Sequence, residues 1–173
     1  MKTLFSKYLL IIFLIPIGFG CSRNNKNQPI DKVDYDGFVI LSDSLSKYRE
    51  TRLIDETTFN DFRSDANTIV LDTRSKEAYD EIHIEGATHL NFSDFTEKKL
   101  RKIIPSKKTR ILIYCNNNFD SKIPSLYDKS IRLALNIPTF INLYGYGYKN
   151  IYELNGYLKE ENTKIPLMTN NKN

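Results

Sequence analysis

Residues 110–118, RILIYCNNN, join a continuous apolar run to a cysteine and three asparagines. A second apolar run, residues 68–71, lies upstream, and neither run alternates apolar with polar side chains. Continuous runs of this kind are typical of strands buried on both faces of a parallel sheet. We therefore predict two central strands. Cys115 then lies at the carboxyl end of one of them, where the reactive groups of such sheets collect.

Helical and strand patterns alternate on either side of these two runs. An α/β pattern of this kind predicts a single domain with a central, mainly parallel sheet and helices on both faces. In residues 95–104, for example, Leu100 and Ile103 share one face while lysines occupy the other. The predicted helices are 55–62, 75–81, 95–104, 126–135 and 149–158, and the further strands are 52–54 and 139–143.

Composition narrows the class of protein and the kinds of partner. The chain has 173 residues, 40% hydrophobic and 27% charged, which suits one globular domain. The net charge of +4 is small and evenly spread, so we do not expect a nucleic-acid surface. Only two cysteines are present, without a His/Cys cluster at ligand spacing. We therefore expect no disulfide framework and no metal site.

The first residues have the pattern of an export signal. Two lysines precede an apolar run that is shorter than the roughly 20 residues a membrane-spanning helix needs. Gly20-Cys21 after this run resembles a bacterial lipobox, although Gly18 and Phe19 depart from it, and an ordinary signal cleaved near Gly20 remains the alternative. We predict a signal peptide at 1–20, a lipid on Cys21, a polar tether at 21–37, a folded domain at 38–166 and a disordered tail at 167–173.

Cys115 is the candidate chemical centre. The asparagines after it tolerate left-handed backbone and tight turns, so the loop can turn its amides inward as an anion nest. Such a nest lowers a thiol pKa and stabilises a thiolate or a persulfide. The other interpretation is an inert buried cysteine, because free cysteine is among the most buried residue types.

Several motifs together resemble the rhodanese-like domain family. Asp72-Thr-Arg74 and the run His83-Ile-Glu-Gly86-Ala87 are similar to the segments that precede the family's active-site strand, and Cys115 follows at the family's distance. Residues 141–152 are similar to its last strand, glycine turn and final helix. The resemblance covers roughly residues 52–160. It implies sulfur transfer through a cysteine persulfide, with no metal or organic cofactor.

The loop after Cys115 departs from the family's usual Cys-x-x-Gly-x-Arg. The candidate active-site loop consists of Asn116, Asn117, Asn118, Phe119, Asp120 and Ser121. Asn118 replaces the glycine, and Asp120 replaces the arginine that binds an anionic donor. Phosphatases of the same fold need an arginine where this chain has Ser121, so we do not expect phosphatase activity. Lys122, Lys129 or Arg132 is a candidate to replace the missing cation.

Two further residues are candidates for the rim of the site. Asp72 and Arg74 either line the rim or have a structural role, with Asp72 as a helix cap and Arg74 paired to a carboxylate. We expect His83 to be a packed, hydrogen-bonded residue at a turn.

Two functions remain open at this point. One is sulfur transfer at the bacterial cell envelope, with a small sulfur donor or a protein acceptor as partner and a lipid anchor on the exported protein. The other is a catalytically inactive domain that binds a protein partner there.

Overall fold

A five-stranded parallel sheet forms the centre of the computed structural model, which describes residues 32–119, 129–159 and 161–170. The strand order is β1-β6-β5-β2-β4, and each neighbouring pair is parallel. A separate antiparallel pair joins β3 to β7. The strands are β1 Leu53–Ile54, β2 Thr68–Asp72, β3 His83–Ile84, β4 Thr88–His89, β5 Arg110–Tyr114, β6 Ile151–Leu154 and β7 Leu167–Met168. The predicted fold class is confirmed.

Five α-helices are present in the described residues: α1 Tyr35–Glu50, α2 Glu56–Arg63, α3 Lys76–Glu81, α4 Glu97–Ile103 and α5 Asn136–Gly145. Side chains cap the three helices that the sequence predicts between residues 55 and 104. Asp55, Ser75 and Thr96 each accept a hydrogen bond from the backbone N–H three residues on. None of the helices in the described part of the chain is long and apolar enough to cross a membrane.

The alternation of side chains along β5 divides the core between the two faces of the sheet. Leu112 and Tyr114 pack on one face with Phe59 of α2 and Ala78 of α3. On the other face, the core residues are Ile111, Ile113, Leu100, Phe140 and Leu143. Helices therefore cover both faces of the sheet, and α4 and α5 lie on the face towards which Ile113 points.

The structure reverses two predictions near the C-terminus. The run 139–143, predicted as a strand, lies in α5, and the segment 149–158, predicted as a helix, contains β6. The buried residues of α5 include Asn136, Thr139, Phe140 and Leu143, which is the i, i+3, i+4, i+7 spacing of a helix. Pro138 is tolerated because it lies in the first turn.

The boundaries of the folded part also differ from the prediction. Helix α1 begins at Tyr35, inside the segment predicted as a tether, because Tyr48 and other residues of this helix pack on α5. Strand β7 begins at Leu167, in the segment predicted as a disordered tail, because it pairs with β3. Of the predicted helix 126–135, the described part contains a single 3₁₀ turn, Ile131–Leu133. The predicted signal peptide and Cys21 lie outside the described residues.

Candidate functional site

Cys115 lies at the carboxyl end of β5, and its side chain faces the beginning of α5. The residue is 1% exposed. Its backbone is extended, so its side chain points to the same face of the sheet as that of Ile113, two residues earlier. Backbone N–H groups of Asn117, Leu135 and Asn136 donate hydrogen bonds towards the thiol. The amide cradle expected from the asparagine turn therefore has two sources, the turn itself and the positive end of the α5 dipole.

The pKa of the Cys115 thiol is raised above its ordinary value, and burial is the largest cause. The three backbone amides lower this pKa, while the carboxylate of Glu153 raises it. The amides therefore act in the direction that the anion-nest interpretation predicts, but the net direction is that of a buried cysteine. The reason is that desolvation of a buried thiolate outweighs the hydrogen bonds of its cradle.

Asn118 organises the turn after Cys115. Its Oδ1 accepts from the Cys115 backbone N–H at 2.9 Å, and its Nδ2 donates to the carbonyls of Leu154 and Gly156, both at 2.9 Å. Asn116–Asn118 forms a 3₁₀ turn. No non-glycine residue in the described ranges has a positive φ, so Asn118 does not use the left-handed conformation that asparagine tolerates. It replaces the family's glycine with side-chain hydrogen bonds.

The remaining loop candidates divide between described and undescribed residues. Phe119 is buried, with its ring centroid 5.7 Å from that of Tyr114. Asp120, Ser121 and Lys122 lie outside the described residues. Of the other two candidate cations, Lys129 lines both cavities at Cys115, whereas Arg132 is exposed in the 3₁₀ turn before α5.

Asp72 and Arg74 form a buried ion pair beside the site. Arg74 Nη2 lies 2.6 Å from Asp72 Oδ2, and Arg74 Nε donates to both carboxylate oxygens. The Tyr114 hydroxyl donates to the same carboxylate at 2.5 Å, and Arg74 Nη2 also donates to the Ile82 carbonyl at 2.6 Å. Arg74 lines a cavity of about 110 Å³ that also includes Cys115. Arg74 thus faces the site, and Asp72 holds its guanidinium from behind.

Both histidines are accounted for by packing and hydrogen bonds. His83 is buried, with Nδ1 at 2.7 Å from the Tyr79 carbonyl and its ring stacked on that of Tyr79 at 3.9 Å. His89 Nε2 lies 2.9 Å from the Arg74 carbonyl. The prediction of a packed, hydrogen-bonded His83 is confirmed, but the residue lies in β3, before the turn at residues 85–86, and not in the turn itself.

A larger cavity of about 680 Å³ opens on the other side of Cys115. The polar residues that line it and that sequence reasoning missed include Arg49, Asn136 and Glu153. Arg49 from α1 forms a bidentate ion pair with Glu153 from β6. A signal for Glu153 was available, because a carboxylate in the apolar run 151–154 is unusual for a buried strand. Arg49 had none, since nothing in the sequence brings α1 to the site.

The described residues contain no group of three or more His, Cys, Asp or Glu side chains that could hold a metal ion. What the site does contain is a buried thiol, an amide cradle and two cavities. This arrangement is suited to nucleophilic attack by the Cys115 sulfur on an anionic ligand, because the cradle stabilises negative charge at the thiol.

The chain belongs to the rhodanese-like domain family, whose sequence profile matches residues 56–160. The active-site cysteine suggested by the sequence motifs, Cys115, lies within this range. Helix α1 and Arg49 precede it. No curated protein matches the chain.

Solved structures with a similar fold include several proteins of this family. A rhodanese-like domain from Anabaena sp. is 17% identical with a TM-score of 0.49, and the match covers 68% of this chain and 79% of that one. A thiosulfate sulfurtransferase from Pseudomonas aeruginosa is 18% identical with a TM-score of 0.47, and the match covers 68% of this chain and 19% of that one. A rhodanese with anions from E. coli is 16% identical with a TM-score of 0.39, covering 59% and 98%.

Proposed function

We propose that this protein transfers sulfur through a persulfide on Cys115. The observation that carries the proposal is the position of the thiol, which lies at the end of β5 beneath the N–H groups of Asn117, Leu135 and Asn136. These donors favour an anionic sulfur at that position. Cys115 lines two cavities, which are the proposed routes for a donor and an acceptor.

The proposed reaction transfers one sulfur atom in two steps, first from the donor to Cys115 and then from Cys115 to an acceptor. The Cys115 thiol first loses its proton to solvent, and the thiolate attacks the outer sulfur of a donor such as thiosulfate. The donor's S–S bond breaks, sulfite leaves with the electron pair, and a Cys115–S–S⁻ persulfide forms. A nucleophilic acceptor then attacks the outer sulfur, and Cys115 departs as thiolate. The raised thiol pKa reduces the thiolate fraction but increases its nucleophilicity.

Intact-mass spectrometry tests this proposal directly. Protein beginning after Cys21 is incubated with thiosulfate or polysulfide, alongside the Cys115→Ser variant. We expect the mass of one sulfur atom to be added to the parent, to be absent from the variant and to be removable by a reductant. A folded parent that gains no sulfur from either donor would exclude sulfur transfer from these donors.

The second candidate function is a catalytically inactive domain that binds a protein partner. The observation in its favour is that Cys115 is 1% exposed, with a thiol pKa that burial raises. It predicts no sulfur adduct in the mass experiment and a thiol of low reactivity. A persulfide that is formed and passed on to an acceptor would contradict it.

We also propose that the protein is exported and anchored to the bacterial cell envelope by lipid on Cys21. The support is the apolar run within the predicted signal peptide 1–20 and the Gly20-Cys21 pair at its end. Lipid chains give stable anchoring when more than one is attached. Labelling cells with a fatty-acid probe tests this proposal. The parent should be labelled and fractionate with membranes, and Cys21→Ser should not be labelled. An unlabelled parent would contradict it.

A further inference from the structure

Helix α1 lies outside the range that the family profile matches, yet it reaches the site. The Tyr48 hydroxyl donates to the Lys149 carbonyl at 2.7 Å, and its ring centroid is 5.6 Å from that of Tyr144 in α5. Leu41 Cδ2 lies 3.4 Å from the position a Cβ would take on Gly145. These contacts fix the C-terminal end of α1 against the helix that covers Cys115.

Arg49, near the end of α1, holds a buried carboxylate. Its Nε donates to Glu153 Oε2 at 2.9 Å and its Nη2 to Oε1 at 2.6 Å. The Glu153 side chain is 8% exposed and that of Arg49 is 29% exposed. Two parallel hydrogen bonds of this kind fix the orientation of both groups.

Glu153 and Cys115 lie on the same face of neighbouring strands. Ile113 pairs with Glu153 across β5 and β6, and Cys115 continues the extended backbone two residues after Ile113. Side chains two residues apart in a strand point the same way. Both Glu153 and Cys115 line the larger cavity, so an unpaired charge on Glu153 would act directly on the sulfur.

We propose that Arg49 is a positioning residue for Cys115. By holding and neutralising Glu153, it prevents that carboxylate from repelling the Cys115 thiolate. It also prevents the carboxylate from repelling an anionic sulfur donor, and this second effect rests on the proposed function. Helix α1 is then part of the site of this protein, in addition to the domain that the family shares.

Other charged groups near Cys115 do not replace Arg49 in this role. The titratable groups lining the two cavities, among the described residues, are Arg49, Arg74, Lys129, Glu153 and Tyr157. Arg74 is bound to Asp72, and Lys129 is exposed. Arg49 is the largest factor that lowers the pKa of Glu153, which burial raises. Glu153 in turn raises the pKa of Cys115.

The test measures the pKa of the Cys115 thiol from the pH dependence of its alkylation rate. The full chain carries Cys21→Ser, so that Cys115 is the only thiol. Arg49→Met should raise the thiol pKa by about one unit, because the carboxylate is then unpaired. Glu153→Gln should lower it, and the double variant should return close to the parent value. Arg49→Lys, which keeps the positive charge, should leave the thiol pKa much closer to the parent value than Arg49→Met does.

Arg101→Met is the matched control, because Arg101 pairs with Glu97 on an exposed surface, and it should leave the thiol pKa unchanged. A folded Arg49→Met variant with the parent pKa would overturn the proposal. So would a double variant as shifted as Arg49→Met, because Arg49 would then act independently of Glu153. If Arg49→Met does not fold, Glu153→Gln decides alone, and an unchanged pKa there refutes the proposal.

The alkylation experiment does not need a persulfide, so it separates this proposal from the proposed function. If the parent gains no sulfur but the variants shift the pKa as expected, sulfur transfer fails and the positioning role stands. If the parent gains sulfur and the variants leave the pKa unchanged, the positioning role fails and sulfur transfer stands. Where both hold, Arg49→Met should contain about tenfold less thiolate at neutral pH. It should therefore load sulfur from thiosulfate more slowly, by less than this factor, because a thiolate of higher pKa is more nucleophilic.

Discussion

Replacing Arg74 by methionine removes the cation from the most deeply buried ion pair among the residues that the structure describes. Arg74 and Asp72 side chains are 2% and 0% exposed. Without Arg74, the Asp72 carboxylate keeps the Tyr114 hydroxyl and the backbone N–H of residue 74 as donors. It loses its counter-ion, and the Ile82 carbonyl loses the Nη2 donor.

The expected loss of stability follows from these contacts. Breaking a buried pair by removing one partner costs about 3–5 kcal/mol, since the other charge stays buried and unpaired. A domain of this size has a total stability of about 5–15 kcal/mol, so the variant should unfold at much lower denaturant. Asp72→Asn combined with Arg74→Met should recover part of the loss, because no charge is then left without a partner.

Urea unfolding followed by circular dichroism measures the difference. Arg101→Met is again the control, with side chains 63% and 57% exposed in its pair, and should lose well under about 1 kcal/mol. An Arg74→Met variant within about 1 kcal/mol of the parent would refute the reasoning. A double variant less stable than Arg74→Met alone would also contradict it, because the unpaired carboxylate would then not be the cause.

Three further predictions concern the site. Asn118→Gly should lower stability by about 2–3 kcal/mol in urea unfolding, because the backbone groups bound to its side chain lose their partners; an equally stable variant would contradict this. At pH 8, Cys115 should react with iodoacetamide more slowly in the folded protein than in urea, because its folded pKa is raised; equal rates would contradict this. The folded pKa of Glu153 is also raised above 4.5, because the carboxyl group is buried. The stability of the parent relative to Glu153→Gln should therefore be greatest below pH 4.5 and fall as pH rises through the folded pKa. A difference in urea unfolding that is constant with pH would contradict this.

Much of the fold could be predicted because local signals and packing agree between residues 55 and 114. Asp55, Ser75 and Thr96 are capping residues, and each one begins the helix that the sequence predicts. The runs 68–71 and 110–114 continue without polar alternation after Thr68 and Arg110, and both are central strands. In these segments, propensity, capping and burial favour the same structure.

The segments after residue 135 could not be predicted in the same way, because the residue types of each apolar run favour one secondary structure and its burial follows another. Residues 139–143 are rich in β-branched and aromatic side chains, which favours a strand. Their burial follows a helical spacing that starts at Asn136. This spacing is visible only when residues 136–138 are considered together with the run. Residues 151–154 contain a glutamate, which favours an exposed helix over a buried strand. Glu153 is buried because Arg49, more than a hundred residues away along the chain, neutralises it.

The site shows how the loop departs from the family pattern while keeping its cysteine. Asn118 binds the β5 end through the Cys115 N–H and the β6 end through the Leu154 carbonyl, so its side chain ties the turn to two strands. A glycine at this position would give the turn backbone freedom but could not make these bonds. Asn136, which lines the same cavity, donates to Asn118 Oδ1 at 3.2 Å. The Asn136 side chain also lowers the pKa of Glu153, which Arg49 holds. The turn after the thiol is therefore linked, through Asn118, Asn136 and Glu153, to the helix that precedes the range matched by the family profile.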